Sequence, residues 1–394
     1  MQNEASVRDW LNKRFARRED GYYFAHQPVY GFGSPHSEPG HLRRIARTLN
    51  LLAALSRLEF ATFLDVGAGE GYLTALIHRF LGADGVALEL SLEAAHRARE
   101  LFRLSAVVAD AHQLPFPSES FDLVLASEVL EHVERPWQVA AELERVARKC
   151  VVVTTEEFCT DGEEQALKLR LRELAKPHPE RNFFTAEDLR AMLGDDIELR
   201  AQFRNHLPRE EGRMSLESAR RVISRIAQVD KPTRQSRGVL ATACKRGATV
   251  AAAPRLRREE VLDFILKPLI DSPTAVPAVK PLPWPEQAPQ PTCQVESCES
   301  RGKPSARCIH LIRHSDGIYE YPIVESETGE SPNWALKLGT DNVAAGAERR
   351  RLSARLRRLQ WCELLSAPEP IGTKLVWFAV RTWRRLLRPF AHLS

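Results

Sequence analysis

Phe63-Leu-Asp65-Val-Gly67-Ala-Gly69-Glu-Gly71-Tyr-Leu73 is the stretch that decides the fold of this chain. It joins a short apolar run, 62–66, to a segment with helical spacing, 72–81, through three glycines. This pattern predicts a strand, a glycine turn and a helix, and glycines let the backbone of such a turn approach a ligand closely. The G-x-G-x-G spacing differs from the G-x-G-x-x-G of pyrophosphate-binding folds, which argues against NAD or FAD.

The alternation of strands and helices extends on both sides of this turn. An amphipathic helix is predicted at 40–58, ahead of the first strand. Further strands are predicted at 85–90, 106–109, 121–126, 151–155, 197–203 and 238–244, and further helices at 92–102, 136–147, 186–193 and 216–227. Repeated β-α-β units predict an α/β domain with a doubly wound, mostly parallel sheet and helices on both faces.

Two carboxylates stand where the next two predicted strands end. Glu89 closes the strand after the glycine turn, where a carboxylate can accept hydrogen bonds from ribose hydroxyls. Asp110, followed by Ala111, closes the next strand and can accept a hydrogen bond from an adenine amino group. Alone, each acid is more often a solvated strand end. Three consecutive strand ends at the ligand-binding edge of a doubly wound sheet instead indicate a nucleoside site.

Over residues 40–160 the chain resembles the class I S-adenosylmethionine-dependent methyltransferases, particularly the subgroup containing ubiquinone and menaquinone methyltransferases. The resemblance rests on the motifs 65–71, Glu89, 110–116, 120–124 and 127–133. It implies a Rossmann-like methyltransferase fold and S-adenosylmethionine as cofactor. One departure is Arg148-Lys-Cys-Val151, where many relatives have a Pro-Gly-Gly turn, so we expect a tighter connection there.

The resemblance also implies roles for individual residues. Glu89 would hold the ribose, and Asp110 with Ala111 the adenine. Glu128 would begin the loop that faces the methyl group. The methionine part would be held by Asp65 and the turn residues Gly67, Ala68, Gly69 and Gly71.

Methyl transfer from a sulfonium is a direct displacement, so alignment of the reactants in a dry site supplies much of the rate. A hydroxyl or protonated amine acceptor also needs a base, and His132 and Glu128 are the candidates. A structural role for His132 is equally open, and His178 is a weaker candidate. Thr185 is predicted to cap the helix that begins at 186, with Glu187 or Asp188 in its first turn.

Composition limits the partners and the cellular location that we expect for the protein. The 56 Lys and Arg are nearly balanced by 52 Asp and Glu, which requires neither a nucleic-acid nor a membrane partner. Seven scattered cysteines do not resemble the paired framework of a small secreted protein. The first ten residues lack the pattern of a signal peptide, and no window has about 18 uninterrupted apolar residues. We therefore expect a cytoplasmic protein whose contact with a membrane, if any, is peripheral.

The chain divides into five predicted segments. The first, 1–39, is an arm whose aromatic stretch 22–36 either closes over the cofactor as a lid or packs on the domain. The methyltransferase domain spans 40–246, and a helix with a Pro-rich linker follows at 247–291, with eight prolines between 268 and 291. A small Cys-containing module is predicted at 292–345 and a basic amphipathic helical tail at 346–394.

The C-terminal segments leave several alternatives open. Cys293, Cys298, Cys308 and His310 could supply a zinc site, but their spacing is not that of a zinc ribbon, so we expect no metal. Eleven basic residues against two acidic ones lie between 349 and 388. On a helical wheel, Lys374, Arg381, Arg385 and Arg388 oppose Leu375, Ala379, Trp383, Leu386 and Leu387. This distribution suits an anionic membrane surface or docking on the protein itself, and RNA ranks last.

The sequence therefore predicts a methyltransferase that moves a methyl group to a small-molecule, lipid-linked or glycan acceptor. The alternative is a non-catalytic binding or scaffold protein that keeps the fold, with or without the cofactor, and interacts through its C-terminal part; an RNA methyltransferase is a further alternative. Intact Glu89, Asp110 and the glycine turn weigh against the scaffold.

Overall fold

The computed structural model describes residues 7–16, 18–19, 22–23, 38–173, 182–204, 215–234, 236–271, 290–292, 312–313, 318–320 and 343–366. Its helices are Val7–Ala16 (α1), Glu38–Leu55 (α2), Tyr72–Leu81 (α3), Leu92–Phe102 (α4), Pro136–Val146 (α5), Gly162–Glu173 (α6), Ala186–Leu193 (α7), Leu216–Ile226 (α8), Arg258–Asp271 (α9) and Val343–Ser366 (α10). Its strands are Arg18–Glu19 (β1), Tyr22–Tyr23 (β2), Thr62–Val66 (β3), Asp84–Glu89 (β4), Ser105–Val108 (β5), Phe121–Ser127 (β6), Ala147–Thr155 (β7), Glu198–Arg204 (β8), Ser236–Cys244 (β9), Ile312–Arg313 (β10) and Tyr319–Glu320 (β11).

The central sheet has the order β10-β11-β5-β4-β3-β6-β7-β9-β8. Strands β11, β5, β4, β3, β6 and β7 run parallel, while β9 is antiparallel to both β7 and β8. The strand order reverses direction at β3, from which the chain winds first to β4 and β5 and then to β6 and β7. The doubly wound, mostly parallel α/β sheet expected from the sequence is confirmed, and the carboxyl ends of its central strands meet at one edge.

Helices cover both faces of the sheet because neighbouring strand residues point to opposite sides. Phe63 is buried with residues of α2, α3, α4, α8 and α9, while the adjacent Leu64 is buried with residues of α5 and α7. The expected tight connection is present, since α5 ends at Val146 and β7 starts at the next residue, Ala147. The predicted cap is also present: Thr185 and Asp188 form a reciprocal capping box at the start of α7.

Helix α6 has no counterpart among the sequence predictions. Its sequence, GEEQALKLRLRE, is polar around most of the helix, and Glu164 and Leu167 are its buried residues. Such a segment lacks the apolar stripe that marks an amphipathic helix in sequence. Its position is instead set by neighbours, since Lys168 donates to the Phe158 carbonyl at 2.8 Å and Gln165 to the Phe183 carbonyl.

Segments from both ends of the chain pack on the same domain. Helix α1 lies against α4, with Phe15 buried and Asn12 accepting a hydrogen bond from Ser91 at 2.7 Å. Strand β11 extends the sheet beside β5, where Tyr319 pairs with Val107, and the preceding Ile318 enters the core. The predicted boundary at 292 therefore separates segments that share one sheet.

A disulfide joins Cys150 of β7 to Cys244 of β9, which face each other across the antiparallel pair. Disulfides are rare in reducing compartments. This pair is at odds with the cytoplasmic setting that the cysteine count suggested, and that setting stays a prediction. Among the helices that the structure describes, none is long and apolar enough to cross a membrane.

Several predictions concern residues outside the described ranges. They are the aromatic lid at 24–36, His178, the zinc candidates Cys293, Cys298, Cys308 and His310, and the amphipathic segment 374–388. In the part of the chain that is described, no group of three or more His, Cys, Asp or Glu is arranged to hold a metal ion.

Candidate functional site

The glycine turn after β3 has a backbone that side chains would obstruct. Gly67, Gly69 and Gly71 all have positive φ, of 72°, 57° and 81°. A Cβ on Gly67 would lie 2.4 Å from Val129 Cγ2, and one on Gly71 would lie 2.3 Å from Leu104 Cδ1. The turn is therefore packed between two neighbouring segments. It leaves the N-terminus of α3, which has no side-chain cap, at the carboxyl edge of the sheet.

Two buried carboxylates stand beside this turn. Asp65 is 1% exposed and accepts a hydrogen bond from Thr74 Oγ1 at 2.7 Å, and burial raises its pKa to about 7. Glu89 is 8% exposed, and burial raises its pKa although the N–H groups of Gly69 and Leu90 donate to it. Neither carboxylate has an ion pair with Lys or Arg within the described residues. Each is therefore a buried acid that lacks a compensating positive charge.

Asp110 lies one strand further along the same edge, just after β5. His112 donates to its Oδ1 through its backbone N–H at 2.9 Å, and His112 Nδ1 lies 2.6 Å from the same oxygen. Burial acts to raise the pKa of Asp110, but the hydrogen bonds from His112 outweigh burial and hold the pKa below its ordinary value. Asp110 is thus an anionic acceptor at the sheet edge, with the half-buried Ala111 next to it.

Glu128 follows β6 and occupies a strained position, with φ of 60°. A non-glycine residue in this region costs about 1–3 kcal/mol, so the surrounding structure must hold it there. Its Oε1 accepts hydrogen bonds from Thr154 Oγ1 at 2.8 Å and Gln202 Nε2 at 2.7 Å. Its Oε2 accepts one from the Glu156 N–H at 2.8 Å and lies 3.2 Å from Arg47 NH1.

These contacts set the protonation of Glu128. Burial acts to raise its pKa, but the Arg47 guanidinium and the hydrogen bonds from Gln202 and Thr154 lower it below the ordinary value. A carboxylate with a low pKa, three hydrogen-bond donors and a guanidinium partner is a poor proton acceptor. The geometry suits Glu128 to a positioning role at the end of β6 rather than to the role of a base.

The neighbouring Glu131 has the opposite character. It is 1% exposed, and burial together with the charge of Glu128 raises its pKa well above the ordinary value. Its Oε2 has no hydrogen-bond partner among the described residues. Asn182 holds the same loop by donating to the carbonyls of Glu131, Leu130 and Val133. His132, the other candidate base, is exposed on this loop.

Sequence reasoning named the strand ends but missed most of the network around Glu128. Arg47 lies on α2, Gln202 on β8, and Thr154 and Glu156 at the end of β7. Glu131 belongs to the motif 127–133, yet nothing in that motif shows that its carboxyl is buried. No local pattern connects the other residues to Glu128, because they meet only when the sheet forms.

Comparison with protein families identifies part of this sheet edge. Residues 64–153 match the family model described as a methyltransferase domain. The chain contains a class I S-adenosylmethionine-dependent methyltransferase domain. The matched segment of this domain runs from within β3 to within β7 and includes the glycine turn, Glu89, Asp110 and Glu128. Membership of the ubiquinone and menaquinone subgroup stays a prediction.

Curated relatives share this methyltransferase domain over a limited length. The chain is 40% identical over 91 residues to an uncharacterized methyltransferase of Mycobacterium avium, covering 22% of this chain and 35% of the relative. It is 37% identical over 112 residues to a malonyl-[acyl-carrier protein] O-methyltransferase of Halorhodospira halophila, covering 27% and 37%. The chain therefore spans little more than a third of the length of these relatives.

Solved structures give distant matches to the domain. Magnesium protoporphyrin IX methyltransferase from Synechocystis, solved with S-adenosylhomocysteine, has 18% identity and a TM-score of 0.40, covering 61% of this chain and 98% of its own. A methyltransferase from Archaeoglobus fulgidus has 14% identity and a TM-score of 0.37, covering 52% and 94%.

The residues of the methyltransferase domain fit the charge of S-adenosylmethionine. This cofactor carries a positive sulfonium and a positive ammonium group. Asp65 and Glu89 are buried carboxylates without a cationic partner in the described part of the chain, and their charges repel, which contributes to the raised pKa of Asp65. A cationic ligand would supply the missing countercharge. The glycine turn lies beside the same two acids, and its Gly69 N–H donates to Glu89.

Proposed function

We propose that this protein is an S-adenosylmethionine-dependent methyltransferase acting on a small-molecule, lipid-linked or glycan acceptor. The observation that carries the proposal is the placement of the glycine turn, Glu89 and Asp110 on adjacent strand ends, with two buried carboxylates that lack a countercharge. In this proposal Asp65 and the turn hold the methionine part, Glu89 the ribose, and Asp110 with Ala111 the adenine.

The bound cofactor would supply an electrophilic methyl group, and the protein would align and shield the acceptor. The acceptor gains the methyl group and loses a proton. Glu128 shapes the loop over the reacting edge through its three hydrogen-bond donors and its ion pair with Arg47. His132 remains the proposed base for an acceptor that must lose its proton before or during transfer. Its exposure at the loop surface would let it pass that proton on to solvent.

Calorimetric titration with S-adenosylmethionine and S-adenosylhomocysteine tests the cofactor site. In Glu89→Ala we expect the Kd to rise about 100-fold, because two charge-assisted hydrogen bonds of about 1.5 kcal/mol each would be lost. Glu59→Ala is the matched control, since Glu59 is exposed and precedes β3, so it should leave the Kd unchanged.

Two other outcomes would count against an active methyltransferase. Failure of the folded wild-type protein to bind either compound would overturn the proposal. Binding without formation of S-adenosylhomocysteine across a broad acceptor panel would favour the non-catalytic scaffold.

We also propose peripheral contact with an anionic membrane through the C-terminal part. Arg350, Arg351, Arg357 and Arg358 are exposed on the outer face of α10, and the structure assigns them no ion pair within the described residues. Charge complementarity with an anionic leaflet supports this partner, as does the amphipathic pattern of 374–388. Deletion of 368–394 should abolish flotation with phosphatidylserine vesicles. Equal flotation with and without these residues would disprove this contact.

A further inference from the structure

A cavity of about 180 Å³ lies beyond the carboxyl end of β7. Its described walls come from four parts of the chain: residues 156–158 and 160 after β7, helix α6, residues 233–234 and 236–238 around the start of β9, and Gln360 of α10. The volume is below the roughly 300–1,000 Å³ of pockets for drug-sized ligands, so the cavity suits a single ring-sized group. None of these lining residues was a candidate from sequence.

The charged groups that line the cavity are compensated within the protein. Arg237 Nε lies 2.8 Å from Glu156 Oε2, and Lys168 Nζ lies 3.2 Å from Glu164 Oε1. Arg234 pairs with Asp161. A charged ligand would have to compete with one of these ion pairs, whereas a neutral ligand would not.

The rest of the lining carries more hydroxyl groups than apolar groups. Thr160, Thr233 and Ser236 contribute hydroxyls, and Phe158 is the one aromatic residue among the described lining residues. Each carboxylate oxygen has two lone pairs, and the Arg237 guanidinium has five N–H groups, so one ion pair does not use all of them. These can accept and donate hydrogen bonds to a polyhydroxylated ring.

The cavity wall is continuous with the edge that carries the methyltransferase motifs. The Glu156 N–H donates to Glu128, and Arg47 NH1 lies 3.2 Å from a carboxylate oxygen of each of these two residues. Glu128 follows β6, which pairs with β3, the strand that leads into the glycine turn. Strand neighbours are about 4.8 Å apart, so β7 lies roughly 10 Å from β3.

Helix α10 forms the outer wall of the cavity. It is fixed to α6 by ion pairs at two points: Glu348 with Arg170 Nε at 2.8 Å, and Arg355 with Glu163 at 2.6 Å. Leu352, Leu356 and Leu359 are half-buried on the same face of α10 as Gln360. A helix that the sequence assigns to a separate basic tail therefore completes a cavity of the methyltransferase domain.

We propose that this cavity is the acceptor site, that it takes a neutral, hydroxyl-rich ring such as a sugar, and that α10 selects the acceptor. The inference rests on the proposed methyltransferase function. A hydroxyl oxygen of the ring would bond to the methyl carbon as the methyl–sulfur bond breaks. The electron pair of the broken methyl–sulfur bond would go to sulfur, and the hydroxyl proton would pass to a lining carboxylate. For this acceptor Glu157, whose pKa burial raises, takes the place of His132 as the base.

Saturation-transfer NMR on the full chain with bound S-adenosylhomocysteine tests the inference with four probes of similar size. These are methyl glucoside, which is neutral and hydroxylated, glucuronate, which is anionic, glucosamine, which is cationic, and cyclohexanol, which is mostly apolar. We expect saturable binding of methyl glucoside and weaker binding of the other three. No binding of methyl glucoside, or tighter binding of any other probe, would overturn the inference.

Two variants and one control locate the binding of methyl glucoside. Gln360→Trp should weaken binding of methyl glucoside at least tenfold by filling the cavity, while Ala354→Trp, at an exposed position on the outer face of the same helix, should not. Arg237→Gln leaves an excess carboxylate in the lining and should shift preference toward glucosamine, which keeps the test valid if Gln360→Trp displaces α10. Unchanged binding in Gln360→Trp and Arg237→Gln alike would overturn the proposed location.

Calorimetry on the same samples separates this inference from the proposed function. If S-adenosylhomocysteine binds and methyl glucoside does not, only the acceptor site is wrong. If S-adenosylhomocysteine does not bind, the proposed function fails and the inference fails with it.

Discussion

The two halves of the carboxyl edge of the sheet are built differently. Over β3, β4 and β5, the candidate cofactor residues come from short motifs, each directly after its own strand. Over β6, β7 and β9, the residues around Glu128 and the cavity come from α2, α6, β8 and α10. The first half lies within the family match at 64–153, whereas Arg47, Gln202 and Gln360 lie outside it. The family match therefore covers the candidate cofactor residues and Glu128 itself, but not the residues of α2, β8 and α10 that surround Glu128 and the cavity.

If the two halves are independent, Arg47→Ala should destabilise the half around Glu128 and leave the cofactor half over β3, β4 and β5 unchanged. The variant leaves Glu128 and Glu156, with side chains 15% and 21% exposed, without their shared cation. We expect the free energy of unfolding to fall by about 3–5 kcal/mol, as when one partner of a buried pair is removed. Urea denaturation measures this, and the Kd for S-adenosylmethionine should change less than threefold.

Arg57→Ala is the matched control, because Arg57 pairs with the half-exposed Glu198 and should cost much less stability. A tenfold loss of cofactor affinity in Arg47→Ala, at a temperature where the protein stays folded, would show that the halves are coupled.

Gly71→Ala should damage the cofactor half. Its φ of 81° disfavours a side chain, and the new Cβ would lie 2.3 Å from Leu104 Cδ1 and 3.1 Å from Ala98 Cβ. Backbone strain and overpacking together should lower the free energy of unfolding by about 3 kcal/mol and weaken cofactor binding. Gly82→Ala has a similar φ of 70° with no atom within 4 Å, so it should lose only about 1 kcal/mol and bind normally. Equal losses in the two variants would show that crowding at Gly71 is unimportant.

Reduction of the Cys150–Cys244 disulfide should act on the second half. The bond joins residues with a sequence separation of 94, and its reduction should cost about 2–4 kcal/mol, the usual range for a disulfide. Denaturation with and without dithiothreitol measures the change, and Cys244→Ser should remove the dependence on reductant. Free thiols at both positions in protein purified without reductant would refute the disulfide.

The pH dependence of cofactor affinity should report on Asp65 in the first half. Its pKa is raised to about 7, so below pH 7 a cationic ligand must displace a proton to pair with the carboxylate. Affinity for S-adenosylmethionine should therefore rise about tenfold from pH 6 to pH 8.

In the unliganded protein, the titration of Asp65 should make the free energy of unfolding fall with rising pH, whereas cofactor affinity rises. Its raised folded-state pKa means that stability falls as pH rises from about 4 to 7, because the unfolded chain loses the proton first. Asp65→Asn should flatten both profiles. An unchanged pH profile in this variant would assign the titration to another group.

The sequence by itself determined the doubly wound sheet, several element boundaries and the placement of the cofactor candidates. Strands β3 to β6 carry apolar runs that each end at a glycine turn or a carboxylate, and such signals need only adjacent residues. Bounds such as Tyr72–Leu81 and Leu92–Phe102 follow from helical periodicity alone. The capping box at Thr185 is equally local, since its two partners are three residues apart.

The tertiary structure alone decided the surroundings of Glu128 and the cavity. It brings Arg47 to Glu128, gives Glu128 a low pKa and Glu131 a high one, pairs β11 with β5, and places Gln360 over a cavity. Burial and long-range ion pairing set these properties, and both depend on residues that are distant in the chain. A polar helix such as α6 leaves no periodic signal, so its position is known only from the neighbours that hold it.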